Sequence, residues 1–201
     1  YLSFTGLVSS SLYSGSKYGG VIGKMQANSK LRKSYFNGTL KGAQETGGLV
    51  GSLSNAEVSN SFARGIINGI GFTGSFAGEA HYTNYNGVKF LNNYVSVTET
   101  STNSSVIRGL AAGVGLVSSS DGSSGNYYNY SSNSTSTSAH QNISGLASKT
   151  TQQFKTKDTF NGWDFDDIWI ISGNINDGFP FLRGNNEMDL LDLTFIQDSS
   201  I

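Results

Sequence analysis

The chain has 201 residues, with Gly 26, Pro 1, Cys 0 and only 13% charged side chains, which sum to a formal charge of −1. Near-neutrality removes the basic footprint of a nucleic-acid binder, and the lack of cysteine excludes disulfides and thiolate metal sites. No apolar run approaches the length of a membrane-spanning helix. A cysteine-free chain of this kind fits a bacterial surface protein or a cysteine-poor extracellular matrix protein. The dense scatter of Gly, Ser, Thr and Asn leaves too few helix formers for a helical repeat and suits short strands joined by polar turns. An apolar fraction of 36% is low for a globular domain, but 12% aromatic residues argue against disorder. One domain is expected at this length.

In chain order, a first two-part pattern reads Gly20-Val21-Ile22-Gly23 and then Leu31-Arg32-Lys33-Ser34-Tyr35-Phe36-Asn37-Gly38. The clearest copy follows, with Gly48-Leu49-Val50-Gly51 and Val58-Ser59-Asn60-Ser61-Phe62-Ala63-Arg64-Gly65. Next come Ser75-Phe76-Ala77-Gly78 with Phe90-Leu91-Asn92-Asn93-Tyr94-Val95, and a looser Gly115-Leu116-Val117-Ser118 with Asn126-Tyr127-Tyr128. The closing Gly at 23, 51 and 78 and the Ser/Asn-aromatic pairs at 34, 61 and 93 give a period of about 27 to 32 residues. A fixed period in that range means one supersecondary unit stacked on copies of itself.

Within each unit the Gly-Leu-Val-Gly element is read as a first strand and residues 58–63 as a second. Gly23, Gly51 and Gly78 are expected at equivalent corners, and Leu49 in an interior row with Val21 and Phe76. On the second strand, Val58 and Phe62 are placed inward, stacked on Leu31 and Tyr35 below and on Phe90 and Tyr94 above. The opposite phase would bring Ser61 and Ala63 inside, and a bend in the strand would let both sets contribute. The basic run Lys30-Leu31-Arg32-Lys33 reads as a solvated face.

Residues 118–144 are rich in Ser, Thr and Asn and read as turns. Five sequons occur, at Asn37, Asn103, Asn129, Asn133 and Asn142; random placement in so polar a chain would yield on the order of five, so the count alone carries nothing. Asn129, Asn133 and Asn142 are expected to be the accessible ones. Residues 149–183 then carry Phe154, Phe160, Trp163, Phe165, Trp169, Phe179 and Pro180, the single proline. Stacked coils cannot lose a ladder donor, so a proline placed here agrees with a cap outside the coils. Burial of Trp163, Phe165, Trp169 and Phe179 is expected. The tail, residues 184–201, alternates Leu191, Leu193 and Phe195 with Asp192 and Thr194, a period-two strand pattern suited to docking on a neighbouring subunit.

The copies resemble the GLUG repeat of large bacterial and protist surface proteins, over roughly residues 1–183 and best in residues 46–65. The aromatic block resembles the segment that closes such arrays. The resemblance implies a surface or adhesive context and a β-solenoid, and no catalytic residue. The expected fold is therefore all-β, a parallel β-helix of about five or six coils over residues 1–148. A rise of roughly 4.8 Å per coil would make the stack about 25 to 30 Å long before the cap. Beginning at Tyr1, the chain is expected to be a processed product or a part of something longer.

Catalytic constellations are few. His81 and His140 stand in dissimilar contexts, and no His-Glu-x-x-His helix is present. Asp164, Asp166 and Asp167 could hold calcium or act as acid and base, but Trp163, Phe165, Ile168 and Trp169 interleave with them as in a structural plug. Glu57, Glu79 and Glu99 fall at scattered repeat positions. The expectation is a non-enzymatic module of an extracellular surface protein or filament, with no cofactor or metal. Its expected partners are copies of itself, neighbouring domains, or a glycan or protein ligand. The alternative is a carbohydrate-binding or carbohydrate-active β-helix, in which Tyr82, Tyr85, Tyr127, Tyr128 and Tyr130 would stack on sugars.

Overall fold

Short runs of β-branched and aromatic residues, each soon interrupted by Gly, Ser or Asn, fold into strands of two to eight residues. A computed structural model describes residues 2–9, 16–81, 87–101, 107–108, 122–130, 145–173 and 175–184. The chain divides into two compact units, Tyr1–Lys149 and Thr150–Ile201.

The first unit is a parallel β-solenoid. After β1 (Ser3–Ser9), a coil is made by β2 (Lys17–Gly19), β3 (Ile22–Met25), β4 (Lys30–Arg32) and β5 (Tyr35–Lys41). The next holds β6 (Glu45–Gly47), β7 (Val50–Ser54), β8 (Glu57–Ser59) and β9 (Phe62–Gly69). A third holds β10 (Phe72–Gly74), β11 (Ala77–His81), β12 (Lys89–Leu91) and β13 (Tyr94–Ser101), followed by β14 (Ile107–Arg108), β15 (Asn126–Asn129) and β16 (Leu146–Lys149). All inter-coil pairings are parallel and assemble four sheets, ordered β1-β5-β9-β13-β15-β16, β2-β6-β10-β14, β3-β7-β11 and β4-β8-β12. Among the described residues, complete four-strand coils therefore number about three, against the five or six expected. The looser copies beyond residue 107 add strands to one or two of the four sheets, and the element at residues 115–118 lies outside the described residues.

The Gly-Leu-Val-Gly element is half bend and half strand. In the central coil β6 ends at Gly47, Gly48 and Leu49 form the bend, and β7 starts at Val50. Gly23, Gly51 and Gly78 follow the bend and sit inside β3, β7 and β11, in one row but not at corners. Gly51 allows close approach of the backbones of successive coils: a Cβ there would lie 2.6 Å from Tyr18 N and 2.5 Å from Gly23 O of the preceding coil.

Residues 58–63 likewise span a corner. β8 ends at Ser59, Asn60 adopts φ 49°, and β9 begins at Phe62; Lys33 and Asn92 repeat this turn at φ 49° and 54°. The next residue carries a buried polar ladder from coil to coil. Leu2 N donates to Ser34 Oγ, Ser34 N to Ser61 Oγ, Ser61 N to Asn93 Oδ1, and Asn93 N to Asn126 Oδ1, at 3.0 to 3.2 Å. The hydroxyls return the bond two residues upstream, Ser34 to the Arg32 carbonyl and Ser61 to the Ser59 carbonyl, each at 2.9 Å. No buried corner amide on this row is left without an acceptor, which is what permits a sharp bend inside a packed stack.

Because the corner rotates the chain, both strand phases supply the interior. Leu31, Val58 and Phe90 form one core row, while Phe36, Ala63 and Val95 form another across the corner. Phe62 is buried in register with Tyr35 and Tyr94, but this row stands apart from the main core cluster, a correction to its expected place beside Val58. Leu49 and Phe76 are fully buried, with the half-buried Val21 packed against the same cluster. Leu49→Ala should cost about 2 to 5 kcal/mol in chemical denaturation; a loss below about 1 kcal/mol would mean that the row is not packed.

The second unit opens with a short helix, α1 (Thr151–Phe154), closed by a reciprocal capping box between Thr150 and Gln153. A 3₁₀ turn at Lys157–Thr159 and an antiparallel pair, β17 (Trp169–Ile170) with β18 (Phe181–Leu182), follow. Its centre is aromatic: Trp163 stacks on Trp169 at 4.4 Å and meets Phe160 in a tilted contact at 4.6 Å, and Phe154 stacks on Phe179 at 5.4 Å. Trp163, Phe165, Trp169, Phe179 and Pro180 are all buried.

Candidate functional site

The acidic run in the aromatic unit is a turn. Asp164 accepts the backbone N–H groups of Asp166 and Asp167 at 3.0 and 2.8 Å on one carboxylate oxygen, and Asp166 and Asp167 point to solvent. Among the described residues no group of three His, Cys, Asp or Glu is placed to hold a metal ion. His140, Tyr82, Tyr85, Asn103, Asn133, Asn142, Leu191, Leu193 and Phe195 lie outside the described residues. His81 ends β11. Of the remaining tyrosines, Tyr130 is exposed, Tyr128 half-buried and Tyr127 buried. They do not form one exposed sugar platform.

Two sequons receive definite places. Asn37 is half-buried in the middle of β5, between Thr5 and Arg64 in the ladder. Asn129, expected to be accessible, is 2% exposed and donates through Nδ2 to Ser96 Oγ at 3.0 Å. The composition of its neighbourhood suggests a loop, but the residue itself pairs within β15, and a glycan could not leave that position.

Glu57, Glu79 and Glu99 belong to three different sheets. The structure instead joins Glu79 to a residue that sequence reading passed over. Lys17 on β2 binds the Glu45 carboxylate on β6 and lies 3.9 Å from Glu79 on β11, so one ammonium spans three coils. The repeat spacing of Lys17 and Glu45 was a readable signal. Glu79 was not readable from the repeat, because it sits on β11, beyond the bend at Ser75 and Phe76, and no repeat relates it to Lys17 or Glu45. Burial pushes the Glu45 carboxyl up, but hydrogen bonds with Lys17 and Glu79, the Lys17 charge and a bond with Ser52 outweigh it and hold the group below the ordinary glutamate value. A folded-state value below the unfolded one stabilises the fold above the unfolded glutamate pKa, and the contribution disappears as pH falls through the depressed folded value. Thermal melts should therefore show the wild type losing stability in that acid window, with a shallower loss for Glu45→Gln. Parallel pH profiles would remove Glu45 as a source of acid sensitivity.

A second polar cluster lies over the β4-β8-β12 sheet. Glu57 is bound by Arg32 at 3.1 Å and faces Lys30 at 3.8 Å, with Lys89 in register on the next coil. Arg32 and Lys30 remain about half exposed, so the basic run is both solvated and cross-braced to the neighbouring coil. Beside it an open groove of about 480 Å³ follows the corner, with Lys33, Asn60 and Asn92 on its wall.

This arrangement defines the class: a parallel β-solenoid repeat protein with a polar corner ladder and charged cross-coil braces. Family models, curated proteins and solved structures gave no match to the chain.

Proposed function

We propose that the chain is a non-enzymatic structural or adhesive module of an extracellular surface protein or filament. The observation that carries this reading is the continuity of the stack. The first coil meets the second through four registers of backbone bonds, a side-chain ladder, an aromatic column and two charged braces, and the second meets the third through the same registers, ladder and column. Nearest-neighbour stacking of this kind resists extension and offers a repeated outer face. In the six-stranded sheet that face includes a row of Leu7, Thr39, Ile66 and Thr98, of which Leu7 is 62% and Ile66 45% exposed. Antibodies to the chain should label intact, unpermeabilised source cells, and single-molecule stretching should release length in steps of about one repeat. Labelling confined to permeabilised cells would overturn the surface assignment.

The same reading gives the alternating tail at Leu191, Leu193 and Phe195 the task of docking on a neighbouring subunit. Deleting residues 184–201 should abolish polymer in light scattering while leaving the melting temperature of the monomer unchanged. A destabilised monomer with unchanged association would reverse that assignment.

A second reading, a carbohydrate-binding module, is favoured by the groove at the Lys33, Asn60 and Asn92 corner, which combines cations, a carboxylate and amides along three coils.

A further inference from the structure

We infer that this groove is a binding site for a linear acidic polysaccharide lying along the solenoid axis, an inference that rests on the carbohydrate-binding reading. The site is built by the fold. Lys33, Asn60 and Asn92 each follow the last residue of β4, β8 and β12, and each takes a left-handed conformation with φ between 49° and 54°. Their backbone N–H groups donate in series to Ser59, Leu91 and Ser124 of the following coil, which keeps the three residues in line. The side chains on the groove wall therefore recur once per coil, at roughly 4.8 Å.

That spacing selects the ligand. It is comparable with the advance of one pyranose along an extended glycan chain. An extended peptide repeats its side chains on one face at roughly twice the 3.3 Å rise of a strand and would fall out of step. Among the described residues the groove lining has no aromatic platform on which nucleobases could stack. The Asn92 amide can both donate and accept hydrogen bonds and the Asn60 Nδ2 can donate, as sugar hydroxyls require, and Leu91 supplies a small apolar contact for a ring face.

Charge selects the acid. Lys30 and Arg32 share the single carboxylate of Glu57, and Lys33 and Lys89 flank them, so cations outnumber that carboxylate on this face. Arg32 is already oriented by its bond to Glu57, which spares part of the ordering cost when an anionic group arrives.

The test uses the whole chain in isothermal titration against three polymers: polygalacturonate for carboxylates, dextran sulfate for sulfates, and neutral galactan. Polygalacturonate or dextran sulfate should bind more tightly than galactan, weaken as salt rises, and lose at least about tenfold in affinity in Arg32→Gln/Lys33→Gln. The tighter of the two identifies the acidic group. Lys41→Gln, an exposed charge on β5, should bind as the wild type does. Asn60→Gly/Asn92→Gly keeps residues that tolerate the left-handed turn while removing both amides, and should also weaken binding with the circular-dichroism spectrum unchanged. Galactan binding equal to that of the acidic polymers would overturn the acidic assignment and leave carbohydrate binding standing. Binding to none of the three would overturn both. Affinity for polyuridylate above that for either acidic glycan, or full affinity in the Arg32/Lys33 variant, would equally overturn the site.

Discussion

Gly51→Ala should abolish cooperative folding or cost at least about 4 kcal/mol, far more than a surface glycine replacement. The added methyl carbon would sit 2.5 Å from Gly23 O, 2.6 Å from Tyr18 N and 2.8 Å from Lys17 C. These are backbone atoms of the preceding coil, held in two ladders, so no rotamer change relieves the clash and the coils must part. Gly23, in the same row one coil earlier, gives an internal comparison. Its nearest atom would be Lys17 O at 3.0 Å, a contact that a shift of a few tenths of an ångström removes. Gly23→Ala should therefore cost under about 1.5 kcal/mol, partly offset by the lower entropy of the unfolded chain. Urea denaturation of both variants checks the pair, and similar losses would show that backbone approach is not what position 51 demands.

Phe62→Ala should be the most damaging side-chain truncation in the solenoid. The ring is fully buried and lies between Tyr35 at 4.9 Å and Tyr94 at 5.0 Å, with interplanar angles of 5° on both sides. Truncation of a buried phenylalanine costs about 3 to 5 kcal/mol, and two aromatic pairs at about 0.5 to 1.5 kcal/mol each are lost with it. The expected total is about 4 to 8 kcal/mol. Phe62→Tyr should be mild, because the positions above and below already carry tyrosine in register. Phe62→Leu should fall between the two, since it keeps most of the apolar volume and loses the stacking. Equal stabilities for the Leu and Tyr variants in thermal denaturation would mean that volume alone matters in this column.

The stack was legible because a parallel solenoid turns sequence period into spatial contact. Residues one repeat apart become neighbours in a ladder, so Leu31 under Val58 under Phe90, and Tyr35 under Phe62 under Tyr94, could be paired from spacing alone. The same logic put Leu49 with Val21 and Phe76 and placed the row of Gly23, Gly51 and Gly78. It overcounted the coils, because a recognisable Asn-aromatic pair such as that at 126–127 needs only one paired strand, whereas a full coil needs four.

What the period cannot encode is the angle between consecutive rows. That angle is set at the corners, and here the left-handed residues are Lys33, Asn60 and Asn92 rather than glycine, so residues 58–63 read as one strand while the chain turns in their midst. From that turn follow the separation of Phe62 from the main core and the line of side chains along the groove. The bend at Ser75 and Phe76 in turn brings Glu79 to the Lys17–Glu45 pair, although no repeat relates them. The sequence by itself determined the architecture and the membership of each row, since stacking like on like requires only a constant spacing. The tertiary structure alone decided how consecutive rows turn about the corners and that Glu79 joins the Lys17–Glu45 pair, since those depend on backbone rotations that left no periodic mark in the chain.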